Sequence, residues 1–319
     1  MPPSFDKLVL VTRKTRLQQL VERFNSRGQA RFYIEHAGGD WKDYAAEDDA
    51  YARSLDALHH SLDLGLRVQT LDRAIVPTFL FAPSDLVVTV GQDGLVANVA
   101  KYAGTQPIVA VNPDPARFDG VLLPFTPDGA RAAVGKAVEG KARVREVTLA
   151  EARLTDGQRL LGFNDLYIGS RTHVSSRYSL RVTGGAAGTG GTGDTAEFQS
   201  SSGVLVSTGA GSTGWMSSVF NMAAALASFT GGTPGTRPTL TWEDPRLCFV
   251  VREPFSSKHS GISVVAGVIG PGQSLIIESR MPSGGVIFSD GVEADAMAFD
   301  SGATATIAAA AQRTKLVVG

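Results

Sequence analysis

Four residues carry the first chemical signal. Gly91, Gln92, Asp93 and Gly94 follow directly on the apolar run Leu86 to Val90. Glycine lets a backbone approach a phosphate closely and supplies turn geometry. A carboxylate at the carboxyl end of a buried strand faces the usual ligand crevice of an α/β sheet. Asp93 could there accept a proton from a hydroxyl nucleophile or help hold magnesium. Asp-Gly is also a common plain turn, and the four residues alone leave both readings open.

Gly209 to Gly214 (GAGSTG) has the spacing of a dinucleotide-binding turn, with the strand-like Val204 to Val206 before it and a helix-like stretch from Trp215 after it. Bare amides at a helix start can hold phosphate. However, Gly231 to Trp242 contains no Asp or Glu to take a ribose hydroxyl, so a strand-to-helix turn near a ligand fits better than a hydride-transfer site. Gly135 to Ala142 (GKAVEGKA) misses a P-loop at its last residue and reads as a helix stop. Asn164 and Asp165, side by side, could read donor and acceptor edges of a nucleoside, or could form an Asx turn opening a strand. His36, His59, His60, His173 and His259 have no partner ligands at metal-binding spacing. Arg117 and Arg171 could meet phosphates, although loop arginines usually face water. Cys248, in LCFVV, reads as a core residue.

Two kinds of sequence position these groups. Up to about residue 130, strand-like and helix-like stretches alternate. Lys7 to Thr12, Leu66 to Leu71, Leu86 to Val90 and Pro107 to Val111 read as strands. Arg16 to Phe24, Tyr44 to Leu64, Leu95 to Tyr102 and Asp128 to Val138 read as helices. That alternation predicts a parallel sheet with helices on its faces. Beyond it come short strands between turns: Arg145 to Leu154, Gln158 to Ile168, Ser176 to Val182, Gly203 to Thr208, Leu247 to Glu253, Gly261 to Val268 and Ser274 to Ser279. Trp215 to Ser228 is the convincing helix among them. The expected organisation is an α/β domain over 1–130 and a mostly β domain over 131–319, with the transition near residues 125 to 145. Gly184 to Gly193 reads as a mobile hairpin loop.

Composition narrows the classes. Of the 319 residues, 43% are hydrophobic and 19% charged, a globular balance. Thirty basic and thirty-one acidic side chains give a net charge of -1, so no basic footprint for nucleic acid is expected. No apolar run approaches the roughly 20 residues that span a bilayer. The start reads neither as a secretory signal nor as a transit peptide, and the single cysteine fits a reducing compartment, so a cytoplasmic location is expected.

Taken together, strand-GQDG-helix, then PIVAVNPDPARFDG, FNDLYIG and SSGVLVSTGAGSTGW resemble the NAD kinase family in order and spacing. Lys14, Thr15 and Arg16, with Val111 to Pro115 and Ser201 to Gly203, resemble its mitochondrial-type branch most. The resemblance covers roughly Leu8 to Ser228. It implies a Rossmann-like α/β domain followed by a mostly antiparallel β-sandwich domain, with the active site between them. It implies transfer of a phosphate from ATP, with magnesium on the nucleotide, to the 2'-hydroxyl of the adenosine ribose of NAD. Asp93 would be the general base, in a phosphate loop with Gly91, Gln92 and Gly94. Asn112, Asn164 and Asp165 would contact nucleotide, as would Thr208, Gly211, Ser212, Thr213, Trp215 and Ser218. No metal ligand of the chain's own is implied. Small-molecule nucleotides are the expected partners, without nucleic acid or membrane, in a homo-oligomer with a dimer favoured.

The chain also departs from the family pattern. Gln92 replaces a glycine of the donor loop, where its side chain could crowd a phosphate or its amide could bond one. The alternative is therefore an NAD(H)-binding protein with weak or no kinase activity. Asp165 replaces Glu, and Trp215 replaces Tyr, keeping a ring but losing the hydroxyl. A lipid or sugar kinase of the wider superfamily and a Rossmann oxidoreductase are more distant readings.

Overall fold

The computed structural model describes residues 5–184 and 196–319. Most of the glycine-rich stretch expected to form a hairpin loop, residues 185–193, lies outside the described residues. The chain forms two compact units, one of residues up to Arg145 with Thr314–Gly319, the other Glu146–Arg313. The division thus falls later than the expected boundary at 130. The helix over 127–138 packs its alanine face on the first sheet, and the last six residues return to that sheet as an added strand.

The first unit opens with β1 (Lys7–Thr12), whose four central residues are buried. Thr15 then caps α1 (Arg16–Phe24) in a reciprocal capping box with Gln18. The next helix, α2 (Arg27–His36), escapes the sequence pattern because only Ala30 and Ile34 are buried on it. There follow α3 (Trp41–Ser61), β2 (Arg67–Asp72), β3 (Asp85–Val90), α4 (Asp93–Ala100), β4 (Pro107–Val111) and α5 (Pro127–Val138). The strands run parallel in the order β2–β1–β3–β4, and Lys315 and Leu316 pair parallel with Pro107 and Ile108 beyond β4. Leu8, Leu10, Leu86, Val88 and Val109 pack with Tyr51 and Leu58 of α3 and with Ala130 and Val134 of α5. Every residue of β3 is buried, as a parallel strand covered on both faces requires.

The second unit is two packed antiparallel layers. Its strands are β5 (Arg143–Leu154), β6 (Arg159–Gly162), β7 (Asp165–Ser170), β8 (Ser176–Thr183), β9 (Glu197–Ser201) and β10 (Val204–Ser207). After α6 (Trp215–Phe229) come β11 (Leu247–Val251), β12 (Ala266–Ile269), β13 (Ser274–Ser279), β14 (Gly285–Ser289), β15 (Val292–Ala298) and β16 (Thr304–Val318). One layer has the order β12–β11–β10–β7–β14–β15, and the other joins β16, β13, β8 and β9, with β5 and β6 beside β16. Leu166, Ile168, Val206, Phe249 and Ile287 of the six-stranded layer interleave with Tyr178, Leu180, Ile277 and Ile307 of the other. The outer face of the six-stranded layer carries Leu205, Cys248 and Val250 under Met216 of α6. Burial there pushes the Cys248 thiol up to about 11, which suits a packing role.

Two expectations change. Gln158 to Ile168 is not one strand but two, broken at Phe163 and Asn164. Gly261 to Val268 is irregular except for its end, which enters β12. Among the described residues, no helix is long and apolar enough to cross a membrane.

Candidate functional site

Strand order places the first group of site residues. In the order β2–β1–β3–β4, the chain leaves β1 toward one side and β3 toward the other, so the carboxyl ends of β1 and β3 form a topological switch point. Arg13 directly follows β1 and Gly91 directly follows β3, and they lie close: a Cβ on Gly91 would be 3.4 Å from Arg13 Cδ and 2.9 Å from a Leu95 methyl. A phenol joins the two strand ends. The Arg13 backbone N–H donates to the Tyr51 hydroxyl oxygen at 2.9 Å, and that hydroxyl donates to the Val90 carbonyl at 3.1 Å. Burial pushes the Tyr51 hydroxyl up to about 12, so it remains a donor at neutral pH.

Gln92 is the N-cap of α4, but its side chain is exposed and makes no capping bond. Asp93 is the first helical residue, where the exposed amides of the helix start favour a negative charge. Its Oδ1 accepts the Leu122 backbone N–H at 2.7 Å. No described residue donates to its Oδ2. One oxygen is therefore fixed while the other is available, the arrangement a general base needs. Gly94 faces open space, with nothing within 4 Å of an added Cβ.

The loop after β4 delivers Leu122, and Asn112 builds that loop. The buried Asn112 donates from Nδ2 to the Phe118 carbonyl at 2.9 Å and accepts the Asp114 N–H at Oδ1, 3.1 Å. Gly120, at φ 65°, lets the chain turn back over the Asn112 amide. The Lys14-Thr15-Arg16 segment is held by local bonds too. The Thr15 hydroxyl donates to Asp48, and Arg16 pairs with Asp43 and Glu47. Arg117 pairs with Asp43 at 2.6 Å.

The second group lies in the second unit. Asn164 sits at the break between β6 and β7, and Asp165 begins β7. The Asn164 carbonyl accepts the Thr208 N–H at 3.0 Å, and the Thr208 hydroxyl donates to the Phe163 carbonyl at 2.6 Å. Gly211 packs so tightly on Asn164 that a Cβ there would lie 2.0 Å from the Asn164 carbonyl oxygen. One on Gly209 would lie 1.7 Å from that of Thr241. The first two glycines of GAGSTG are thus required by packing against backbone. Ser212 caps its own turn by donating to Gly209, while Thr213 and Ser218 are exposed.

The Asn164 carboxamide and the Asp165 carboxyl make no hydrogen bond to any described side chain or backbone group. Asp165 is nevertheless buried. Desolvation, with a smaller contribution from the nearby Asp290 carboxylate, pushes it up to about 7. A buried acid without a protein donor, beside a free carboxamide, has the chemistry to bond hydroxyl or amine groups.

Further along β7, Tyr167 shares Asp165's face of the strand, since residues two apart point the same way. Its ring stacks on Trp215 at 5.8 Å and meets Phe288, its cross-strand partner, at 4.9 Å. The Arg252 guanidinium lies over both Trp215 and Tyr167, at 5.1 Å and 6.0 Å. These rings, with Arg171 and Ser202, line a cavity of about 430 Å³, large enough for a heteroaromatic ring and its sugar. Among the described residues there is no group of three His, Cys, Asp or Glu side chains placed to hold a metal ion.

Sequence reading missed Arg13, Tyr51 and Asp290. A signal existed for Arg13, which directly follows a strand and so stands at its carboxyl end. Asp290-Gly291 is a hairpin-turn signal. Tyr51 had none, being one aromatic on a long helix.

The sequence matches no protein-family model and no curated protein. The structure does have solved counterparts. It superposes on yeast NADH kinase complexed with NADH with a TM-score of 0.58 and 17% identity, covering 99% of this chain and 84% of that one. An NAD kinase from Archaeoglobus fulgidus in complex with ATP gives 0.52 and 18%, covering 97% and 93%. The fold is that of the NAD kinases.

Proposed function

We propose that the chain is an NAD kinase-like phosphotransferase that makes NADP from NAD and ATP. The observation carrying this reading is Asp93. It stands at the carboxyl end of the central strand of a fold shared with NAD kinases, with Oδ1 fixed by Leu122 and Oδ2 free. In the proposed step the ribose 2'-oxygen attacks the terminal phosphorus of ATP. A new O–P bond forms, the bond from that phosphorus to the bridging oxygen breaks, and ADP leaves. The hydroxyl proton passes to Asp93 Oδ2. General-base help of this kind is typically worth about 10²–10⁴-fold. The rest of the catalysis is positioning and charge neutralisation. Magnesium comes with the nucleotide, where it neutralises phosphate charge.

Asn164 and Asp165 are assigned to the hydroxyl and amine groups of the dinucleotide, and Trp215 with its cavity to an aromatic ring. Gly91, Gln92 and Gly94 are assigned to the donor phosphates. Thr208, Gly211 and Ser212 act by shaping the turn that seats Asn164, and Thr213 and Ser218 are exposed for contact. Asn112 acts through the loop that brings Leu122 to Asp93. The Lys14-Thr15-Arg16 segment supports placement in the mitochondrial-type branch, in a cytoplasmic protein. A homodimer is supported by α6, which has no charged residue and leaves Leu226 and Phe229 exposed. Incubating the purified chain with NAD, ATP and magnesium and measuring NADP tests the reading, and no NADP with ATP or polyphosphate overturns it.

A second reading rests on Gln92. Its exposed side chain stands where the family pattern has glycine, and an NAD(H)-binding protein with little turnover would result if it obstructs the donor. NAD binding in calorimetry with background NADP formation would select it.

A further inference from the structure

The turn between β14 and β15 holds a carboxylate that neither the glycine motifs nor the proposed chemistry uses. Ser289 pairs with Val292, leaving a two-residue turn of Asp290 and Gly291 with φ of 54° and 68°. Two consecutive left-handed residues are the hairpin geometry that Asp-Gly favours. The Asp290 side chain points back over β7. Its Oδ2 accepts the Phe163 N–H at 2.9 Å, and its Oδ1 accepts the N–H of Asn164 at 2.6 Å and of Asp165 at 3.3 Å. The Asp290 backbone N–H donates to the Asp165 carbonyl at 3.1 Å. These three amides belong to the break that divides β6 from β7, where no neighbouring strand takes them.

We infer that Asp290 is a positioning residue for the dinucleotide: by gathering the amides of Phe163, Asn164 and Asp165, it aims the Asn164 carboxamide and the Asp165 carboxyl at the ligand. The inference rests on the proposed dinucleotide reading of that pair.

A purely structural clamp would account for the hydrogen bonds but not for the neighbour. Asp290 sets a negative charge beside a buried acid that has no protein donor, and that juxtaposition opposes folding. Both acids make sense together if a bound ligand supplies the donors that Asp165 lacks. On β10 the residue opposite Asp165 is the uncharged Ser207, and no described cation contributes to its ionisation. Asp290 is thus the charged group that acts on it.

The test uses Asp290→Asn, which tolerates the left-handed turn and keeps one acceptor. Asp290→Gly suits the turn equally and serves if the first variant does not fold. Loss of bonds to a charged acceptor predicts that KM for NAD rises about 10-fold or more, while kcat and KM for ATP stay within about 2-fold. The acidic limb of the pH profile for NAD binding moves to lower pH, because Asp165 loses its like-charged neighbour, and the movement vanishes in an Asp165→Asn background. A stable variant with unchanged NAD affinity and pH limb overturns the inference. If the unaltered protein makes no NADP but the variant loses NAD binding in calorimetry, the kinase reading falls and the positioning role stands. If the unaltered protein makes NADP and the variant binds NAD equally well, the kinase reading stands and the positioning role falls.

Discussion

Asp93 and Asp165 are the same residue in two different settings. Asp93 is half-buried at a helix start, held by one amide that reaches it from a loop of the same unit. Asp165 is buried beside another carboxylate, with no donor of its own. The first setting fixes one carboxylate oxygen and leaves the other without a donor among the described residues. The second, through desolvation and the nearby Asp290 carboxylate, pushes the carboxyl up to about 7. The glycines divide in the same way. Gly94 has open space around it, whereas Gly211 lies against the Asn164 backbone. A glycine beside a site can therefore serve the ligand or merely the fold, and its motif does not say which.

The sharpest way to break the comparison is Asp93→Asn. NADP formation should fall about 10²–10⁴-fold while NAD affinity in calorimetry changes little. Wild-type-like turnover would show that another group is the base.

Next is Asp165→Asn. An acid held at about 7 in the folded chain, against 3.8 as its ordinary value, favours the folded state below about pH 4, and that contribution is lost as pH rises through 7. Removing the charge should therefore raise stability at pH 8, by about 4 kcal/mol at most. It should leave stability at pH 4 nearly unchanged, and NAD affinity should fall. Denaturant unfolding at the two pH values checks the sign, and a loss of stability at pH 8 would refute the picture of an unsatisfied acid.

The glycine contrast comes third. Gly211→Ala should destabilise by about 3 kcal/mol through overpacking. Gly94→Ala, in the first turn of α4, should be neutral or stabilising by about 0.5 kcal/mol. Thermal melts of the two variants would expose a reversed order.

The smallest expected effect is at Gln92. Its side chain is exposed and caps nothing, so Gln92→Gly should leave the melting temperature within about 2 °C. A rise in turnover with unchanged NAD affinity would identify Gln92 as an obstruction to the donor, and a fall would identify its amide as a phosphate contact.

Local pattern made much of this protein legible. The buried run before GQDG, the alternation up to α5 and the short strands after it follow from side-chain periodicity and turn residues, which are local properties. So the sequence by itself determined an α/β unit followed by a β unit, and placed Asp93 at the end of a strand. It did not reveal α2, whose buried face is two residues wide, or that the segment around Phe163 and Asn164 breaks in two. The amides at that break donate to an acceptor at position 290, far along the chain. Only the tertiary structure decided that Leu122 fixes Asp93, that Tyr51 ties β1 to β3, and that Asp165 lies buried beside Asp290. Those facts come from chain closure, which brings together groups with no local signal of each other. Desolvation and like-charge proximity, the causes of Asp165's unusual acidity, exist only once that closure has occurred.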